Sequence, residues 1–246
     1  MVGAAKILNA TNTFFALLIF ILSIVSLNGV NWKLEALKTV PWSYGSFTTD
    51  NPGVADSRIT VAVYSNLWGS VINTYTNQDG DNENSKTEHN SSPCDEVPGV
   101  DDDTAALQRN GCRAYQLKDT LYALCILGFL FALFKTALAG VALCKPIQPV
   151  LIGNIVCSFF TWLWSLALWT LYYDQVFPQD NRFEFAGYGG FKYKMGSGLN
   201  ATIAMCWFAF ANIFVSIVHM VSAGKEEGGG GVTMQKGDGA AMTGRM

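Results

Sequence analysis

Few residues in this chain are equipped for chemistry. The two histidines, His89 and His219, fall in a polar loop and near the end of the last apolar block, too far apart in the topology to act together. No GxSxG, HExxH, CxxC or phosphate-cradling glycine loop occurs. No catalytic residue, cofactor, metal site or small-molecule substrate is therefore expected. The acidic run Asp79, Asp81, Glu83, Glu88, Asp95, Glu96 and Asp101 to Asp103 opens like a calcium loop. However, the turn glycine falls on Asn84 and the closing glutamate on Asn90, so a solvated acidic loop is the expectation. Cys94 and Cys112 stand 18 residues apart in one polar stretch, as a disulfide of an oxidising compartment would require. Cys125, Cys144, Cys157 and Cys206 lie in or at the end of apolar blocks and read as small packing residues. Cys144, beside Lys145, is in addition a palmitoylation candidate. Asn90-Ser91-Ser92 is a glycosylation sequon, although the following Pro93 makes it a poor acceptor.

These residues are held by a chain that is half hydrophobic and only 14% charged, against about 25% in soluble domains. The apolar residues gather in blocks at 13–30, 120–143, 149–173 and 198–222, none containing Asp or Glu. About 20 apolar residues in a helix cross the roughly 30 Å hydrocarbon layer. The blocks read as apolar all round, without the polar stripe of a soluble core helix. The expected fold is an all-α transmembrane four-helix bundle capped by a small antiparallel β-sheet. The first block, with Lys6 ahead of it, has the layout of a signal peptide, but no clear small-x-small cleavage site follows and it is expected to remain as a span.

The resulting plan is an N-terminal segment 1–12, spans 13–30 and 120–143 joined by a long loop 31–119, a turn 144–148, span 149–173, a second loop 174–197, span 198–222 and a flexible tail 223–246. Lysines and arginines flank both sides, and their bias read literally would put the loops inside. The cysteine pair and the sequon place both loops outside instead, with the termini cytoplasmic and the protein at the plasma membrane. In the long loop, 58–64 and 67–75 read as strands, with Trp32, Trp42 and Trp68 to bury, while 77–104 reads as a mobile insertion.

Within the spans, Gly128, Ala132, Thr136, Gly140 and Cys144 recur every four residues as a small-residue ridge for close helix packing. Lys135 has no intramembrane carboxylate to pair with. Lying ten residues, or about 15 Å, from Lys145, it is expected to snorkel to the termini-side interface, with a polar pathway as the second reading. Asn154, Asn212 and His219 are expected to supply interhelical hydrogen bonds. Trp162, Trp164, Trp169, Tyr172 and Tyr173 read as an aromatic belt at the outer interface. Phe183, Phe185, Tyr188, Phe191 and Tyr193 of the second loop read as a candidate partner surface.

The layout of a long first loop, short turn and shorter second loop resembles the claudin superfamily. Trp32 just after the first span is similar to a claudin tryptophan, and Val61 to Trp68 resembles the strand leading into the claudin Gly-Leu-Trp element, with Asn66 in place of the glycine. Leu67-Trp68-Gly69 and the pattern from Gly196-Ser197-Gly198 through Trp207 to Asn212 resemble the amastins, four-span surface proteins. Cys112-Arg113-Ala114-Tyr115-Gln116 is similar to the opening of the second span in both. The chain departs from both at the cysteines: neither the amastin pair flanking Leu-Trp-Gly nor the first claudin cysteine is present. The resemblance implies a surface interaction protein that organises membrane, adheres or assembles laterally with itself or other membrane proteins. The alternative is an auxiliary subunit of a channel or other membrane complex. Trp32, Leu67, Trp68 and Gly69 would form the loop-sheet core. With a net charge of −3, no nucleic-acid partner is expected.

Overall fold

The structure is a computed structural model that describes residues 2–28, 38–50, 58–67, 69–76, 82–88, 94, 102–177, 183–185, 188–191 and 193–228. Trp32, Trp68 and Asn90 lie outside the described residues, as does the tail beyond 228.

Among the described residues, four helices are long and apolar enough to cross a membrane: α1 (Val2–Leu27), α2 (Asp102–Cys144), α3 (Gln148–Leu171) and α4 (Ser197–Gly228). Apolar sequence in lipid must satisfy its backbone within the segment, which a helix does. The chain is thus a multi-pass membrane protein. α2 has 43 residues, about 64 Å at the helical rise, so it extends well beyond its apolar window of Cys112–Cys144. α3 begins with a proline in its first turn, where the missing N–H costs nothing. It ends in a π-turn, Tyr172–Val176. Each helix packs beside its two neighbours in a ring, α1–α2–α3–α4–α1.

The buried positions step alternately by three and four residues on every helix: Asn12, Ala16, Ile19, Ser23, Ser26 on α1; Leu121, Cys125, Gly128, Ala132, Lys135, Ala139, Ala142 on α2; Leu151, Asn154, Ser158, Thr161, Ser165, Leu168, Tyr172 on α3; Thr202, Met205, Ala209, Asn212, Ser216, His219 on α4. This is the heptad of a left-handed bundle. Its composition is inverted relative to a soluble bundle. Small and polar residues face the axis, while Phe14, Ile21, Phe134, Trp207 and Phe214 face outward. The spans therefore do carry a polar stripe, turned inward. The expected ridge at a strict four-residue step follows this face only through Gly128, Ala132 and Thr136. It then drifts off it, leaving Gly140 and Cys144 exposed while Lys135, Ala139 and Ala142 take the interior.

At one end of the bundle stands an antiparallel sheet in the order β4 (Asn82–Glu88), β3 (Gly69–Thr76), β2 (Arg58–Ser65), β1 (Ser43–Asp50), β7 (Tyr193–Met195). A second pair, β5 (Phe183–Phe185) and β6 (Tyr188–Phe191), is not hydrogen-bonded into that ladder, and β6 lies beside β1. The two expected strands are β2 and β3, paired with Val63 opposite Ile72. Within 77–104, read from the sequence as a mobile insertion, Asn82 to Glu88 pair with β3 as β4, and Asp102 onward is already helical. Between β2 and β3 the Asn66 side chain accepts from Gly69 N at 3.2 Å, and Asn66 N donates back to Gly69 O at 2.9 Å. Asn66 thus closes the turn itself, by the local side-chain bond that asparagine favours.

β1 joins the two loops. Its start pairs with β7 of the second loop, Ser43 opposite Met195, and its whole length pairs with β2 of the first. The junction with the bundle is tight. Gly196 N donates to Trp42 O at 2.8 Å and Gly198 N to Pro41 O at 2.9 Å, occupying carbonyls with donors at the start of α4 that the helix cannot use. A Cβ on Gly196 would stand 2.1 Å from Pro41 O, and one on Gly198 2.6 Å from the Trp42 ring. Glycine is required at both by close approach. The indole that fills this notch is fully buried and meets Tyr172 edge-on, ring centroids 4.9 Å apart.

Candidate functional site

The interior changes character along its length. At the sheet end, Trp42, Leu67, Leu121, Leu124, Leu168, Tyr172, Phe177 and Leu199 form one apolar cluster that closes the bundle. Tyr172, the first residue of the π-turn, belongs to this roof and donates its hydroxyl to Ser43 Oγ at 3.2 Å. It is therefore not part of an interfacial belt, which corrects the expectation for that residue. Below the roof, Ser26 and Thr202 share a hydrogen bond of 2.7 Å, with Cys125 against Ser26.

Toward the termini end the same stripe becomes polar. Lys135 is fully buried and donates to Ser158 Oγ at 2.7 Å, and Ser158 donates in turn to Asn154 O at 2.6 Å. Asn212 Nδ2 approaches the same Oγ at 3.5 Å, so three helices converge on one hydroxyl. One turn further, Ser216 donates to Asn12 Oδ1 at 3.0 Å, joining α4 to α1. Beyond that, Asn9 Nδ2 donates to Ala142 O at 3.0 Å. The expected snorkelling of Lys135 is overturned. Lysine at this heptad position points to the bundle axis, and Ser158 meets its ammonium there. Ser158 lies ten residues into α3, about 15 Å from the helix start, near the middle of the roughly 30 Å layer.

This network is incompletely satisfied. Among the described residues, Asn9 Oδ1, Asn12 Nδ2, both side-chain polar atoms of Asn154, Asn212 Oδ1 and His219 Nδ1 are buried without a hydrogen-bond partner. Each such group ordinarily costs about 1–3 kcal/mol. A charged lysine at the bilayer centre costs at least about 2.5–3.5 kcal/mol more unless it is compensated. No Asp or Glu occurs in 120–173 or 185–225, so no carboxylate of α2, α3 or α4 supplies the compensation at this depth. Nearer the termini, Pro146, Gln148, Leu151, Met220, Ala223 and Gly224 line a cavity of about 230 Å³ between the start of α3 and the end of α4. Leu151 sits on the buried stripe one turn before Asn154, and Met220 follows His219, so the cavity lies at the termini end of the polar stripe.

The other anticipated residues are distributed as follows. Cys94 and Cys112 are bonded, with Cα atoms 4.7 Å apart, tying the segment before α2 to its third turn. Leu67 is buried within the roof cluster and Gly69 is buried at the start of β3. Thr136 donates to Ala16 O at 3.2 Å, so the upper part of the small-residue ridge does join α1 to α2. Cys144 is exposed at the end of α2. Phe183, Phe185, Tyr188, Phe191 and Tyr193 supply the backbones of β5, β6 and β7; their side chains lie outside the described residues. Asn12, Ser158 and Ser216 were not singled out from sequence, although the spacing of Ser158 with Asn154, and of Ser216 with Asn212 and His219, was readable. No family model matches the chain, and no curated protein matches it.

Proposed function

We propose that the chain is a non-catalytic cell-surface protein of the plasma membrane that acts in membrane organisation, adhesion or lateral assembly through its sheet platform. The observation that carries this reading is the fusion of both loops into one sheet. β7 pairs with β1, and the Gly196–Gly198 notch clamps Pro41 and Trp42 onto the start of α4. A surface mounted so rigidly loses little conformational entropy when a partner docks. Placement of the sheet outside the cell is supported by the Cys94–Cys112 bond at that end of the molecule. The resemblance to claudins and amastins, which rests on Trp32, Val61 to Trp68, Leu67-Trp68-Gly69, Cys112 to Gln116 and the Gly196 to Asn212 pattern, points to the same class of function. The alternative is an auxiliary subunit of a channel or other membrane complex. It draws on the outward aromatic ladder of α4, where Trp207, Phe210 and Phe214 meet edge-on with centroids 6.5 and 5.1 Å apart.

The test is reconstitution of the purified chain in liposomes, compared with Trp42→Ala at matched density. Partner-free clustering that disappears in Trp42→Ala supports the platform. Clustering unaffected by the substitution defeats it, and stoichiometric co-purification with a larger channel establishes the auxiliary role.

A further inference from the structure

Beyond the platform and independent of it, the termini half of the bundle holds the makings of a binding site. Its centre is a fully buried lysine in a helix bundle whose α2, α3 and α4 have no acidic residue at that depth. Lys135 commits one of its three N–H groups to Ser158. On the same buried stripe Asn154 is 99% buried with neither side-chain atom partnered, and Asn12 Nδ2 is likewise without a partner among the described residues. Beyond Lys135 the buried α2 positions are taken by the small side chains of Ala139 and Ala142. The position thus combines a positive charge with unpartnered amide donors, and a cavity of about 230 Å³ lies nearer the termini end.

We propose that this stripe binds a small inorganic anion, with Lys135 as its counter-charge and the Asn154 amide as a second donor. The anion supplies the negative charge that the three helices lack, and buried charges persist in apolar surroundings when paired and hydrogen-bonded. The unpartnered acceptors Asn154 Oδ1 and Asn212 Oδ1 fit an anion that keeps part of its hydration shell, since they can take hydrogens from its water. A free ion fits better than a lipid headgroup. Leu151, at the cavity wall, precedes Ser158 by seven residues, about 10 Å along α3, a distance that a headgroup fixed at the interface does not cover.

The experiment is radiolabelled chloride binding to the purified full chain in detergent, for the wild type, Lys135→Met and Asn154→Leu. Each protein is first checked for a monodisperse profile. The expected result is saturable binding that is abolished in Lys135→Met and weakened at least about tenfold in Asn154→Leu, the loss of one hydrogen bond to an ion. Should Lys135→Met fail to fold, Asn154→Leu and competition by bromide and nitrate against the wild type decide the matter. Absence of saturable binding to the wild type, or binding indifferent to both substitutions, overturns the proposal. A phospholipid retained in native mass spectra in place of chloride, and lost in Lys135→Met, also overturns it in favour of a headgroup site.

Discussion

The two halves of the bundle share one geometry and differ in content. At the sheet end the inward positions are Leu121, Leu168, Tyr172 and Leu199, packed under Trp42. At the termini end the same heptad carries Asn12, Lys135, Asn154, Asn212, Ser216 and His219. In lipid, apolar side chains gain nothing by leaving the hydrocarbon, so interior contacts stabilise through close packing and polar bonds rather than through burial itself. The large roof residues are therefore explained by what lies above them, a water-facing sheet that must be anchored. The polar stripe has no such duty and is expensive to maintain, and for that reason it reads as functional.

The strongest way to break the comparison is at the roof. Trp42→Ala empties the notch beneath the sheet and should cost about 3–5 kcal/mol, read as a fall in melting temperature and faster proteolysis of the sheet. Gly196→Ala should follow, because its Cβ meets a backbone carbonyl at 2.1 Å that cannot step aside. A loss of about 1–3 kcal/mol is expected in thermal unfolding. The termini half should behave differently. In chloride-free buffer Lys135→Met is expected to be neutral or stabilising, whereas Ser158→Ala, which strips the buried ammonium of its acceptor, should cost about 1–3 kcal/mol. Equal losses from the two would mean that the lysine is a structural strut. The smallest effect is expected at Gly140, where a Cβ meets nothing within 4 Å. Gly140→Ala should leave stability unchanged or raise it by up to about 1 kcal/mol through helix propensity.

How much of this was legible in the sequence depended on whether the signal was local. The spans were legible because composition alone decides them. β2 was legible because Arg58 to Tyr64 is rich in β-branched residues, whereas β1 (Ser43 to Asp50) lacks that pattern and owes its place to pairing on both sides. β4 has a polar, charged sequence that composition assigns to a loop, and its ladder with β3 overrides that preference. Within the spans, averaging hydropathy hid the inward stripe. The fate of Lys135 was not local at all, since it depends on Ser158 standing opposite on another helix.

The most direct test of a sealed end and a polar end is thiol accessibility in sealed membranes. The variant carries Cys144→Ala, Cys157→Ala and Cys206→Ala, leaves the Cys94–Cys112 bond intact, and compares native Cys125 under the roof with an introduced Ala139→Cys in the polar half. A small charged methanethiosulfonate reagent should modify the residue-139 thiol from the termini side and leave Cys125 intact. Equal protection of both thiols, or faster reaction at Cys125, would contradict the account.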